Sequence, residues 1–138
     1  MRKALVLIAA AALTVAGSAP ALADGRPLTA ELVGSTEVPV AGDPDGVGHA
    51  KVTLNQGLGE VCWDIMVADI ATPLAAHIHV GEAGVAGGVA VPLSPGGGCI
   101  DGVDADLIKD IRQNPSSYYV NVHNADFPGG ALRGQLSK

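Results

Sequence analysis

The chain has 138 residues, and its 14 acidic side chains outnumber its 8 Lys and Arg residues to give a net charge of −6. Nucleic acids and anionic membrane surfaces repel such a chain, so neither is expected as a partner. Aromatic residues make up 3% of the sequence, which leaves no stacking platform for single-stranded nucleic acid. Cations are the natural complement of this charge, and the length suits one domain with a modest core.

The first 23 residues have the pattern of a secretory signal peptide. Residues 1–3 are basic at two positions, residues 4–16 are apolar, and residues 21–23 read Ala-Leu-Ala, which is typical of a cleavage site. Cleavage is predicted after Ala23, leaving a single domain over residues 24–138. Neither the leader nor any later stretch has the roughly 20 apolar residues that a membrane span requires. We therefore expect a secreted or extracytoplasmic protein without a transmembrane segment in its mature form.

Cys62 and Cys99 are the two cysteines of the chain, and both lie in the part predicted to be exported. An even number of cysteines in an oxidising compartment predicts one disulfide. The alternative is that both thiolates bind a metal, which favours a closer spacing such as Cys-x-x-Cys or a reducing environment.

Short segments with period-two alternation and Gly- or Pro-rich turns dominate the exported part. In residues 61–67, for example, Val61, Trp63, Ile65 and Val67 share one face, and Trp63 is predicted to be the largest core side chain. The predicted strands cover residues 28–33, 50–54, 61–67, the segment around His77 and His79, and residues 89–93, 118–124 and 131–136.

One helix is predicted, over residues 103–113. Val103, Leu107 and Ile111 recur at a spacing of four, with acidic residues in the first turn and basic residues in the last, and Asn114-Pro115 follows. Many short strands with one short helix in a connection predict an all-β fold. We expect an immunoglobulin-like antiparallel β-sandwich or barrel.

The segment Ala-His-Ile-His-Val-Gly at residues 76–81 is the part of the sequence that says most about function. Side chains alternate across a strand, so His77 and His79 lie on the same face and their imidazoles can converge on one metal ion. An alternative without metal is that each imidazole caps a backbone carbonyl or stacks beneath a tyrosine.

Several motifs resemble those of the CHRD domain, which is named after chordin and also occurs singly in exported bacterial proteins. The resemblance covers about residues 27–136. It lies in the His-x-His segment at 76–81, the Gly-rich turn and apolar strand after it, Asn-Pro at 114–115, Tyr-Tyr-Val-Asn-Val-His at 118–123 and Pro-Gly-Gly-Ala-Leu-Arg-Gly-Gln-Leu at 128–136. The resemblance implies an immunoglobulin-like β-barrel similar to that of copper/zinc superoxide dismutases, and it implies no specific activity.

The similarity to those dismutases bears on the histidines, since the enzymes also present a His-x-His strand to copper. His77 and His79 match that pair, His123 supplies a third nitrogen if its strand lies across from them, and His49 a fourth. Copper and zinc both suit imidazole ligands. The chain has only 4 histidines, with no metal-bridging histidine and no zinc loop, so dismutation is not expected. Glu82 and Asp126 are candidates for orienting the rings.

Three functions are compatible with these residues. The first is a non-enzymatic extracytoplasmic module that binds an envelope or extracellular protein. The second is a copper- or zinc-binding protein that uses the histidines, and the third is a metalloenzyme related in fold to superoxide dismutase. No serine lies in a nucleophile motif, so no catalytic residue is predicted, and binding is favoured over catalysis.

Overall fold

The computed structural model of the protein describes residues 25–138, so the predicted signal peptide lies outside the described residues. The described residues form one sheet of eight antiparallel strands, one α-helix and two short 3-10 turns at Gly34–Thr36 and Pro115–Ser117. The elements are β1 (Leu28–Val33), β2 (Val47–Asn55), β3 (Glu60–Ala68), β4 (Ala75–Val80), β5 (Val89–Leu93), β6 (Gly97–Ile100), α1 (Ala105–Gln113), β7 (Tyr118–His123) and β8 (Leu132–Gln135).

The sheet curls into a nearly closed barrel with the strand order β5-β4-β7-β8-β1-β2-β3-β6. Its two edge strands, β5 and β6, are consecutive in the chain. The segment between them lies against β3, where the Trp63 indole donates to the Ser94 carbonyl at 2.9 Å and the Ile65 amide donates to the Gly96 carbonyl at 2.9 Å. These bonds give partners to backbone amide and carbonyl groups that would be unpaired at an open sheet edge. The predicted all-β barrel with one short helix in a connection is confirmed.

The core lies inside the barrel and follows the alternation read from the sequence. Trp63 is 9% exposed, and Val61 and Ile65 are buried beside it on β3. The helix α1, in the connection from β6 to β7, adds Ile108 and Ile111 to the same apolar cluster. Within residues 25–138, no helix combines the length and apolar composition needed to cross a membrane.

The helix begins at Ala105, two residues later than predicted, because Val103 and Asp104 make other hydrogen bonds and lie outside it. The Val103 amide donates to the Gly59 carbonyl at 2.9 Å, outside the helix. Asp104 is the N-cap, and its carboxylate accepts from the amides of Asp106 at 3.0 Å and Leu107 at 2.9 Å. The helix ends at Gln113, in agreement with the prediction.

Strand β6 was not predicted, because its glycines have little strand propensity. It forms through its partner: Gly98 pairs with Trp63, and Cys99 pairs with Cys62. A Cβ atom on Gly98 would lie 2.9 Å from Cζ2 of the indole, so a glycine leaves room for the Trp63 ring. The predicted disulfide joins Cys62 to Cys99 across this pair, with 4.0 Å between the Cα atoms. The bond ties one edge of the barrel to its neighbour.

Replacing both cysteines by serine should lower the free energy of unfolding by about 4 kcal/mol, because the bond closes a loop of 37 residues in the unfolded chain. Urea unfolding followed by Trp63 fluorescence measures the loss. Wild-type protein unfolded in reductant is the control and should lose a similar amount. An unchanged midpoint in both would show that β6 needs no covalent tie.

Candidate metal centre

The outer face of the barrel carries three histidines where β4 and β7 lie side by side. In the β4–β7 register, Ala75 pairs with His123, His77 with Asn121 and His79 with Tyr119. His77, His79 and His123 therefore project from the same face, with His123 diagonal to His77. The condition set by the sequence, that the strand of His123 lies across from the pair, is met.

The three imidazoles converge. One ring nitrogen from each of His77, His79 and His123 lies within 4.8 Å of the other two. The ring centroids are 5.4 Å apart for His77 and His79, 5.1 Å for His77 and His123, and 6.3 Å for His79 and His123. All three side chains are half-buried. Modest ring movements would bring three nitrogens to the coordination distance of one ion.

Backbone carbonyls fix which nitrogen carries the proton in two of the rings. His79 Nδ1 lies 2.9 Å from the Gly87 carbonyl and His123 Nδ1 lies 3.0 Å from the Pro128 carbonyl. A carbonyl only accepts, so both Nδ1 atoms donate, and in the neutral rings both Nε2 atoms carry lone pairs. His77 Nδ1 lies 3.2 Å from His123 Nε2 and therefore donates to it. A metal ion would displace this bond. His77 would then bind through Nδ1 with its proton on Nε2, and the other two rings would bind through Nε2.

The Nε2 atom of His79 is the most informative atom of the cluster. It is buried and has no hydrogen-bond partner among the described residues. A buried polar atom without a partner costs about 1–3 kcal/mol relative to one that is satisfied. Because the Gly87 carbonyl holds the proton on Nδ1, the orphaned atom is a lone pair. A Lewis acid at the centre of the cluster would satisfy it.

Burial and mutual repulsion favour the neutral imidazoles that a metal requires. Burial lowers the pKa of His77, and the nearby imidazoles of His123 and His79 lower it further by repelling a second charge. Burial also lowers the pKa of His79, opposed by the hydrogen bond to Gly87 and assisted by His123 and Arg133.

The His79 imidazole stacks on the Tyr119 ring, which also contacts the Arg133 guanidinium. The Tyr119 ring is parallel to the imidazole, with 4.9 Å between centroids and 7° between planes. The Arg133 guanidinium carbon lies 3.5 Å from the centroid of the Tyr119 ring. Arg133 is 1% exposed and donates to the Glu82 carbonyl at 2.8 Å and to Gln135 Oε1 at 3.1 Å. Carbonyl capping and tyrosine stacking, the roles expected without a metal, are both present at His79, yet neither involves Nε2.

The Gly-rich turn between β4 and β5 delivers the carbonyl that orients His79. The Gly87 amide approaches the Tyr119 hydroxyl at 3.2 Å, while its carbonyl receives the His79 proton. A Cβ atom on Gly87 would lie 1.6 Å from the Val80 carbonyl oxygen, so only glycine allows this approach.

Sequence reasoning missed a buried carboxyl group beside the cluster. Glu37 is 6% exposed, accepts a hydrogen bond from the Asn121 amide, and faces the charge of Arg133. Burial raises the pKa of Glu37 to about 7, in spite of Arg133 and the hydrogen bonds. A Cβ atom on Gly130 would lie 2.5 Å from this carboxyl group, which accounts for glycine at that position. No local pattern around Glu37 signals its burial.

The remaining candidates lie elsewhere. His49 is on β2, where its Nδ1 is 2.9 Å from Glu31 Oε1, and the structure does not bring it to the other three histidines. Glu82 contributes a backbone carbonyl to Arg133, and Asp126 lines an open groove with Phe127. Backbone carbonyls orient the histidine rings in place of those two acids. Cys62 and Cys99 are bonded to each other and offer no thiolate.

The raised pKa of Glu37 predicts a pH-dependent stability difference. The carboxyl group keeps its proton up to about pH 7 in the folded state and loses it near pH 4.5 in the unfolded state. Its contribution to stability therefore falls as pH rises through this window. Relative to Glu37→Gln, the wild type should lose about 1–3 kcal/mol between pH 4.5 and pH 8, measured by urea unfolding. A difference that is constant with pH would contradict the buried, protonated carboxyl.

The comparisons agree with the motifs. A family model of the CHRD domain matches residues 28–136. No curated protein and no solved structure shows significant similarity to the chain. The match begins at the first residue of β1, ends one residue after β8, and includes all three converging histidines. The chain therefore belongs to the CHRD domain family.

Proposed function

We propose that this protein is a non-enzymatic binding protein whose ligand is one copper or zinc ion, held by His77, His79 and His123. The ligand atoms are His77 Nδ1 and the Nε2 atoms of the other two. With the predicted signal peptide at residues 1–23, the protein acts outside the cytoplasmic membrane. An envelope or extracellular protein partner, also predicted from the sequence, would then give or receive the metal.

The buried lone pair of His79 Nε2 is the observation that carries the proposal. In folded proteins most buried polar atoms have a partner, so one without a partner needs an explanation. Here the atom belongs to a group of three imidazoles whose nitrogens lie within 4.8 Å of one another. Two of these rings are oriented by backbone carbonyls, as metal-binding histidines commonly are.

The donor set favours copper and zinc over harder cations. Three imidazoles suit both ions, and the general affinity order places Cu(II) above Zn(II) for such ligands. Three protein ligands also leave a position for water or an exchanging ligand. That position suits transfer of the ion between proteins.

Cu(II) and Zn(II) titrations of the purified full chain, under non-reducing conditions with the disulfide intact, test the proposal. One ion per protein should bind, and His77→Ala combined with His79→Ala should abolish binding with the far-ultraviolet spectrum unchanged. In the zinc titration His49→Ala is the matched control, because this histidine lies on another strand, and it should bind one zinc ion like the wild type. Equal binding by the double variant would overturn the proposal.

Zinc should also stabilise the fold, because the three ligands converge only when β4 and β7 are paired. At a free zinc concentration 100 times the dissociation constant, the free energy of unfolding should rise by about 2.7 kcal/mol. Thermal unfolding with and without zinc measures the effect. His123→Ala should remove most of it, and stabilisation that survives in this variant would place the ion elsewhere.

A further inference from the structure

A second group of side chains with atoms that can bind a metal lies on the outer face of the barrel, on strands that carry none of the three converging histidines. Glu31 on β1 pairs with His49 on β2, and His49 pairs with Met66 on β3. The three side chains therefore form a row across neighbouring strands, with His49 in the middle. Together they line an open depression of about 300 Å³.

The contact with Glu31 orients His49 within this row. His49 Nδ1 lies 2.9 Å from Glu31 Oε1, which faces it from the β1 side. The two nitrogens of an imidazole point away from each other, so Nε2 faces away from Glu31. A carboxylate on one imidazole nitrogen is the usual support for a histidine that binds metal through the other.

Met66 lies on the opposite side of His49 and carries a soft thioether sulfur. It is 61% exposed, so its side chain is accessible from solvent. Directly paired residues of antiparallel strands have Cβ atoms about 4.5–5.5 Å apart. At that separation the flexible methionine side chain can bring Sδ to within reach of an ion bound at His49 Nε2.

We propose that His49 Nε2 and Met66 Sδ form a second site, selective for a soft monovalent ion, Cu(I) or its analogue Ag(I). A thioether favours soft ions over Zn(II), and imidazole binds copper readily. The carboxylate of Glu31 adds a negative charge that favours a cation. The site is independent of the three-histidine centre and goes beyond the proposed function, because it needs neither His77 nor His79.

Silver titration of the full chain labelled with ¹³C at the methionine methyl groups tests the proposal in chloride-free buffer. The chain has two methionines, and the signal that disappears in Met66→Leu identifies Met66. Ag(I) should shift the Met66 signal, and Zn(II) should not. His49→Ala should weaken this response at least tenfold, because the second ligand is lost.

The triple variant His77→Ala, His79→Ala and His123→Ala keeps this test separate from that of the proposed function. It should retain the full Met66 response to Ag(I), whether or not the three-histidine centre binds metal. An unmoved Met66 signal in the wild type, or the same affinity in His49→Ala, would overturn the second site. A response lost in the triple variant would do so too.

Discussion

The antiparallel register of β4 and β7 is the constraint on which the candidate centre depends. These strands are separated in sequence by β5, β6 and the helix, yet they are neighbours in the sheet. Because Ala75 pairs with His123, the outer faces of both strands carry histidines at the same end. If β7 shifted by one residue in its register with β4, His123 would turn inward and an apolar side chain would take its place on the outer face. The buried alternation of Ile78, Val120 and Val122 prevents such a shift, since it would expose the core.

The outer face of β7 and β8 is buried although it is polar. In many antiparallel sheets the polar face is instead exposed to solvent. Tyr119 and Asn121 are 4% and 3% exposed, and Arg133 is 1% exposed. The loop carrying Glu37 and the Gly-rich turn ending at Gly87 provide their partners. Polar groups removed from water need such partners, and the arrangement leaves few atoms unsatisfied. Those that remain unsatisfied include the ring nitrogen that a metal would use.

Charge and burial act together around His79. The guanidinium of Arg133 lies behind Tyr119, and the positive charge disfavours a protonated imidazole on the other side of that ring. The carboxyl group of Glu37 faces Arg133. Because burial raises the pKa of Glu37 to about 7, this group is only partly ionised near neutral pH and balances only part of the charge of Arg133. The surroundings of the cluster therefore keep His79 neutral. Neutral imidazole is the form that binds metal.

The sequence alone determined seven of the eight strands, the helix, the disulfide and the placement of His77 and His79 on one face. These features depend on local periodicity, on cysteine number and on motifs that resemble the CHRD domain. The tertiary structure alone decided that His123 joins the pair and that His49 lies beside Met66. It also decided that Gly87 and Pro128 supply the orienting carbonyls. Strand order, loop placement and backbone contacts join residues far apart in the chain, and no local pattern encodes those distances.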